Sequence, residues 1–328
     1  MRNPRFLAGA TIALWSFAGI LGRLVAMRSQ FALLSLSFLF TFGALLVYSL
    51  LSQGRSFLER LKRARAPYFL IGLTGYFIYW IGINQSYRAF DAASETIVLN
   101  YTWPVFTVVF TDLVFRRGPR SRAFRLVEAL GIAGGFLSVV VLATKGRFTS
   151  FELNVAGIAW GLLGGVSYGF FSAYSSTVPR EEHSTFLLCS ILASLVLIAG
   201  LALREIPLFR TFTARDILTV ALLGCALDGL GYICWTAANR LARERGTEIS
   251  SVASLMFVLP LFSLSLIALF FKEESLSRPY FLASLALLLA SSVLCQRTQA
   301  IARLLSRLGR KRPGWHGSGP YARPDDGR

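Results

Sequence analysis

The sequence has few of the residues on which soluble enzymes and metal sites depend. Its 328 residues include only two histidines, four cysteines and 17 acidic residues, against 34 lysines and arginines. It contains no HExxH motif, and its cysteines, at 189, 225, 234 and 295, lack CxxC or zinc-type spacing. Without a nucleophile and base or a metal cluster, we expect no enzymatic activity and no metal or cofactor.

Apolar residues dominate what is present. Hydrophobic residues make up 54% of the chain, charged residues 16%, and the mean hydropathy is +0.56, a combination that soluble domains seldom show. The formal charge of +17 is spread over clusters between apolar segments and does not interleave with aromatics on a soluble face. We therefore expect an integral membrane protein with membrane lipids, and no nucleic acid, as partners.

Ten apolar runs are each long enough to cross about 30 Å of hydrocarbon as a helix. They lie near 6–27, 31–51, 67–87, 93–115, 124–143, 153–175, 185–203, 216–239, 247–271 and 279–296. The fold class that we expect is all-α integral membrane. No A-x-A cleavage site follows the first run, so we expect it to be retained.

The distribution of lysine and arginine predicts the orientation. If the N-terminus is cytoplasmic, the inner segments collect 24 basic residues and the outer segments nine, with Arg23 inside the first run. Positive residues concentrate on the cytoplasmic side, so both termini are expected there. The connection before the seventh run is the exception, because Arg180 is outnumbered there by Glu181 and Glu182.

The two sets of five runs resemble each other, which predicts repeats at 1–148 and 149–298. A shift of 156 positions places Pro104 on Pro260, and a shift of 152 places Tyr87 on Asn239. Because five is odd, the second copy has inverted topology, and such repeats place a solute site near the midplane around a central cavity.

The segment 299–328 is predicted to be a basic, disordered cytoplasmic tail, since it becomes rich in glycine and proline. Its basic half favours either contact with anionic lipid headgroups or a simple stop-transfer charge cluster.

Several motifs resemble a known family. The run Leu14 to Arg23 (LWSFAGILGR), the Lys272-Glu273 pair and the repeat are similar to the EamA branch of the drug/metabolite transporter (DMT) superfamily. The run Val98 to Pro104 (VLNYTWP) resembles the signature of the YddG-type aromatic amino-acid exporters. The resemblance implies export of aromatic and other neutral amino acids across the bacterial inner membrane by alternating access. One departure is Arg116-Arg117, where many EamA proteins have a Gly-Glu pair.

Polar aromatic residues at bilayer depth mark the candidate substrate-binding residues, because a flat amphipathic solute needs aromatic walls and a few polar groups. On the third and fourth runs these are Tyr76, Tyr79, Trp80, Asn84, Asn100, Tyr101, Trp103 and Pro104. Pro104 prevents a hydrogen bond to the carbonyl of Asn100, which leaves that oxygen for a solute ammonium or a water. The alternatives are a packed aromatic face, and a kink satisfied by the hydroxyl of Thr107 or Ser263.

The first, sixth and eighth runs supply the remaining candidates: Trp15, Trp160, Tyr168, Phe171, Asp228, Tyr232 and Trp235. An intramembrane carboxyl is costly and usually functional, so Asp228 is expected to pair with a solute ammonium or to exchange a proton. The alternatives are a salt bridge to Arg23 or a hydrogen-bonded helix contact.

The sequence thus predicts a monomeric transporter with amino acids as its small-molecule substrates. Two alternatives stay open: a DMT-type exporter of another metabolite or drug, and a passive sensor or scaffold. Proton coupling and uncoupled transport are both compatible with a lone Asp228.

Overall fold

The structure, a computed structural model, describes residues 3–25, 30–90, 93–115, 120–146, 149, 153–271 and 278–309. Within these ranges every regular element is helical. In the part of the chain that the structure describes, nine helices are long and apolar enough to cross a membrane: α1 (Pro4–Gly22), α2 (Gln30–Gln53), α4 (Ala66–Ala89), α7 (Arg122–Thr144), α8 (Val155–Ser175), α9 (His183–Phe209), α10 (Ala214–Glu244), α11 (Ile249–Phe271) and α12 (Pro279–Gln296). They confirm the all-α class and indicate a multi-pass membrane protein.

Four shorter helices complete the described part of the chain: α3 (Arg55–Lys62), α5 (Ala93–Asn100), α6 (Trp103–Leu113) and α13 (Thr298–Gly309). Helix α3 connects α2 to α4, and α13 follows α12 and packs on α7. The disorder predicted for the tail therefore does not extend to 299–309, because Ala302 and Thr298 bury their side chains and hold an amphipathic helix in place. Residues 310–328 lie outside the described residues.

The predicted fourth run, 93–115, is not one continuous helix. It forms α5 and α6, separated by a turn at Tyr101 and Thr102. Pro104 explains the break, because it has no N–H to donate and its ring excludes the carbonyl four residues earlier. The hydroxyl of Thr102 donates to the Leu99 carbonyl oxygen at 2.6 Å, and that of Thr107 to the Trp103 oxygen at 2.9 Å. Thr107 therefore does not serve the Asn100 carbonyl.

Three more helices are irregular near their middles. Helix α1 has a turn at Ser16 and Phe17, α4 contains a π-helical segment at Thr74–Ile78, and α10 contains a longer one at Leu223–Gly231. Helix α11 opens with a short helical piece that tightens to 3₁₀ geometry at Ser254–Val258, just before Pro260. In π-helical segments the backbone bonds run from i to i+5, and such segments often occur at functional sites.

The helices pack around α4, α8 and α10. Helix α4 contacts α8 and α9, α10 contacts α1 and α2, α6 contacts α8, and α11 contacts α1. Helix α2 also packs on α9, and α7 on α12. A close approach of two helix backbones lies at Gly72 of α4, where an added Cβ atom would sit 2.2 Å from the Cα atom of Ser190. Only glycine permits that approach, as small residues do between membrane helices generally.

Candidate functional site

Eight of the predicted residues form one contiguous group of rings, here called the aromatic cluster: Trp15, Tyr76, Tyr79, Trp103, Tyr168, Phe171, Tyr232 and Trp235. They come from α1, α4, α6, α8 and α10. Six are buried, and Trp15 and Tyr79 are half-buried. Because the rings face other helices, these residues do not form an anchoring belt toward lipid.

Tyr168 lies at the centre of the aromatic cluster. Its ring centroid is 4.7 Å from that of Tyr79, 5.0 Å from Trp103 and 5.5 Å from Tyr232. The contact with Trp103 is edge-to-face, with an interplanar angle of 88°. Such contacts contribute about 0.5–1.5 kcal/mol each beyond the area that they bury.

Two tyrosines join α4 and α10 by reciprocal hydrogen bonds. The hydroxyl of Tyr76 donates to the Asp228 backbone oxygen at 3.3 Å, and that of Tyr232 donates to the Gly75 backbone oxygen at 3.0 Å. Both acceptors lie inside the π-helical segments. The two rings stack on each other with centroids 4.3 Å apart and planes 19° apart.

A third aromatic donor reaches the same segment of α10. The Nε1 atom of Trp15 donates to the Leu227 backbone oxygen at 2.9 Å. Trp235 also has its indole N–H satisfied, by the hydroxyl oxygen of Ser172 at 2.9 Å. Polar tips in an apolar interior need such partners, since an unmet donor there costs about 1–3 kcal/mol. Irregular backbone in α4 and α10 thus provides acceptors for the aromatic cluster.

Asp228 is buried beside the aromatic cluster, 6% exposed. The Ser37 hydroxyl of α2 donates to its Oδ2 atom at 3.2 Å, which supports the alternative of a hydrogen-bonded helix contact. The side chain of Arg23, the other partner considered, lies outside the described residues. The carboxyl thus lies next to the Leu227 and Asp228 backbone oxygens, to which Trp15 and Tyr76 donate.

The other predicted residues lie around the aromatic cluster or away from it. Trp80 packs edge-on against Tyr79 at 5.4 Å, and the amide of Asn84 donates to the Trp80 backbone oxygen at 2.8 Å. Asn100 is half-buried, and Tyr101 and Pro104 are buried, at the break between α5 and α6. Trp160 is 38% exposed on α8 and does not join the aromatic cluster.

Sequence reasoning missed four residues that support the aromatic cluster: Phe38, Phe186, Ser37 and Ser172. Phe38 packs edge-on against Tyr76 at 5.9 Å, and Phe186 stacks on Phe171 at 5.3 Å. Nothing in the apolar runs of α2 and α9 distinguishes these residues from ordinary core. The serines beside Phe38 and Phe171 were the only available signal.

Two cavities that the described residues line lie apart from the aromatic cluster. The larger, about 700 Å³, is bordered by α1, α2, α3, α9 and α10, and includes Arg60, Arg180 and Arg240 in its wall. The smaller, about 290 Å³, lies where α13 meets the connection between α10 and α11. No aromatic-cluster residue lines either cavity. In the described part of the chain no three His, Cys, Asp or Glu side chains group as metal ligands.

No family model and no curated protein matches the sequence. A solved structure, described only as the crystal structure of a protein, superposes with a TM-score of 0.70. The two chains are 20% identical over 92% of this chain and 98% of the other. At this identity the similarity concerns the fold alone.

Proposed function

We propose that this protein is a transporter of the EamA branch of the DMT superfamily that exports aromatic and other neutral amino acids by alternating access. The observation that carries the proposal is the aromatic cluster, built from helices of both sequence halves and bonded to backbone oxygens at the π-helical segments. Aromatic walls beside a few polar groups suit an amphipathic solute with a flat ring.

The inverted repeat belongs to this proposal, and the helix contacts support it. In the proposed repeat, the helices α1, α2, α4, α6 and α7 of the first half correspond to α8, α9, α10, α11 and α12 of the second. The contacts of α4 with α8 and with α9 then correspond to those of α10 with α1 and with α2, and the contact of α6 with α8 corresponds to that of α11 with α1. The pairs α2 with α9 and α7 with α12 each correspond to themselves. Every one of these pairs is in contact.

The irregular segments support the repeat as well. A π-helical segment interrupts the third run in one half and the corresponding run in the other, at Thr74–Ile78 and Leu223–Gly231. The fourth and ninth runs both lose regular α-helix just before their aligned prolines, Pro104 and Pro260. Discontinuous helices at matching positions of two halves are typical of transporter binding sites.

The arrangement suggests how a solute is held and released. In this structure the Tyr76 hydroxyl donates to a backbone oxygen of α10, the Tyr232 hydroxyl donates to one of α4, and the two rings stack on each other. When the halves separate, the oxygens of Gly75, Leu227 and Asp228 become available to a solute ammonium, and its ring replaces the tyrosine contacts. The solute replaces hydrogen bonds and ring contacts that the protein otherwise makes between its own helices, so the net binding free energy stays small enough for release. The proposal includes a bacterial inner membrane, which the family resemblance implies, and cytoplasmic termini, which the distribution of basic residues supports.

Counterflow in proteoliposomes tests the proposal directly. We expect vesicles preloaded with unlabelled phenylalanine to accumulate labelled phenylalanine or tryptophan well above protein-free vesicles. Trp103→Ala should reduce this flux, and Trp160→Ala, outside the aromatic cluster, should leave it within twofold. Absence of flux above empty vesicles would defeat the proposal. A competition panel identifies the alternative, a DMT-type exporter of another solute, if a non-amino-acid compound competes best.

Asp228 makes proton coupling a second question with its own test. If the carboxyl exchanges a proton during transport, an imposed pH gradient should drive uptake in wild type and fail to drive it in Asp228→Asn. Counterflow, which needs no driving force, should persist in that variant. Flux that ignores the gradient in wild type would show uncoupled transport and rule out the coupled version.

A further inference from the structure

Arg240 is a buried cation with little to neutralise it. It lies on α10, is 8% exposed, and lines the 700 Å³ cavity. Its Nε and Nη1 atoms are buried and have no hydrogen-bond partner among the described residues. The nearest carboxylate is that of Glu244, whose Oε1 atom lies 3.8 Å from Nε, beyond hydrogen-bond distance, on a side chain that is 43% exposed. A guanidinium this deep normally has bidentate acceptors.

The lining of the cavity around Arg240 is both basic and apolar. Arg60 and Arg180 also line it, and Glu181 is the single acidic residue in the lining. Arg60 donates to neutral acceptors, the Gln53 side-chain oxygen at 2.9 Å and the Glu181 backbone oxygen at 2.5 Å, so its charge is not paired with a carboxylate there. The apolar part of the lining is formed by Leu7, Ile233, Cys234, Ala237 and Leu241.

This pairing of features defines a ligand class. Burying a guanidinium whose nitrogens lack hydrogen-bond acceptors is costly, and an anion that accepts from Nε and Nη1 would offset that cost. An apolar body attached to the anion would lie against the Leu7 and Ile233 wall. We propose that this cavity binds a carboxylate or phosphate monoanion carrying an apolar group, with Arg240 as the residue that holds the anion.

Two sources share this chemistry: the carboxylate of a transported amino acid and the phosphate of an anionic lipid. The first source rests on the proposed function and makes the cavity a loading site. Arg240 follows Trp235, the nearest aromatic-cluster residue on α10, by five residues, which places it about 7.5 Å along the helix from the aromatic cluster. It lies at the end of the helices where Arg60 and Arg180 occur, which the charge distribution assigns to the cytoplasm. A solute bound there would be between one and two helical turns from the rings.

The binding test uses purified, delipidated protein and two probes of the same shape, phenylacetate and its neutral analogue phenylacetamide, measured by isothermal titration. We expect phenylacetate to bind more tightly than phenylacetamide. A hydrogen bond to a charged group contributes about 1.5–3 kcal/mol, so Arg240→Gln should weaken phenylacetate binding about tenfold or more. Arg240→Lys should retain part of the affinity, which separates loss of charge from misfolding. Arg245→Gln removes an exposed arginine near the same helix end and should change nothing.

Equal affinity for the two probes, or no effect of Arg240→Gln, would overturn the proposal. Binding in nanodiscs decides between the two sources. If phosphatidylglycerol, and not phosphatidylcholine, competes with phenylacetate, and this competition disappears in Arg240→Gln, the anion is a lipid phosphate. If phosphatidylglycerol does not compete and Arg240→Gln binds phenylalanine tenfold more weakly, the anion is the carboxylate of the solute. Wild-type counterflow separates the two proposals. If binding depends on Arg240 but wild type shows no flux, the anion site is supported and the proposed transport function is refuted. If wild type shows flux but phenylacetate binding does not depend on Arg240, the transport function is supported and the anion site is refuted.

Discussion

Replacing Arg120 tests whether one cation holds three helices of the two halves together. The Nη1 atom of Arg120 lies 2.6 Å from an Asp112 oxygen of α6 and 3.2 Å from a Glu128 oxygen of α7. Its Nη2 atom lies 2.5 Å from an oxygen of Glu248, in the connection that leads into α11.

The expected cost follows from the burial of each carboxylate. The Glu128 side chain is 5% exposed, and leaving such a charge unpaired costs about 3–5 kcal/mol. Asp112 and Glu248 are 25% and 20% exposed, and water stabilises them partly, so their losses are each within about 1 kcal/mol. Because Arg120 is itself 25% exposed, water partly replaces it. We therefore expect Arg120→Met to lower the free energy of unfolding by about 3 kcal/mol.

The assay is unfolding by SDS titration in mixed micelles. Adding Glu128→Gln to Arg120→Met removes the unpaired buried charge and should restore more than half of the lost free energy. Arg125→Met changes an exposed arginine on the first turn of α7, and its free energy of unfolding should stay within about 0.5 kcal/mol of wild type. An Arg120→Met protein as stable as wild type, or a double variant with no recovery, would refute the reasoning.

Three further predictions concern packing, the aromatic cluster and accessibility. Gly72→Ala should lower the free energy of unfolding by at least about 2 kcal/mol in the same SDS titration, because its Cβ atom would meet the Ser190 backbone. Gly43→Ala is the control: no neighbouring atom lies within 4 Å of its added Cβ, so it should be neutral or stabilising. Tyr76→Phe and Tyr232→Phe should each cost about 1 kcal/mol, and the double variant should deviate from additivity by 0.5 kcal/mol or more, since both hydroxyls bond across the same stacked pair; strict additivity in a double-mutant cycle would argue against a joint unit. Cys234, which lines the 700 Å³ cavity, should react with a membrane-impermeant thiol reagent from the cytoplasmic side in vesicles, while buried Cys189, which lines neither cavity, stays unlabelled; mass spectrometry showing the opposite pattern would contradict both the cavity and the orientation.

Much of the fold could be predicted from local properties of the chain. Apolar length predicted nine of the segments that the structure shows as membrane-length helices, because a helix satisfies its own backbone and needs only about 20 apolar residues. Pro104 indicated a disturbed fourth run, since its missing N–H is a property of one residue. The extent of the disturbance, two separate helices, depended on the hydrogen bonds that the surrounding turn makes.

Helical spacing also located most of the aromatic cluster, because residues three and four apart share a face. It could not separate Trp160, which is exposed, from Tyr168, eight residues later at the centre. Which face of α8 is buried depends on how closely α4 and α6 approach it. That approach is set by contacts such as those at Gly82, where an added Cβ atom would sit 2.8 Å from the Gly164 nitrogen.

The sequence by itself determined that the chain is helical and apolar, that its positive charge lies in the connections, and that rings with polar tips occur at bilayer depth. These are consequences of composition and of spacing along a single helix. Only the tertiary structure decided that Tyr76 and Tyr232 bond to each other's helices, that Arg120 joins three segments, and that Arg240 faces a cavity with two nitrogens unpaired. Those facts join residues up to 157 positions apart, and spacing along one helix says nothing about which other helix supplies the partner.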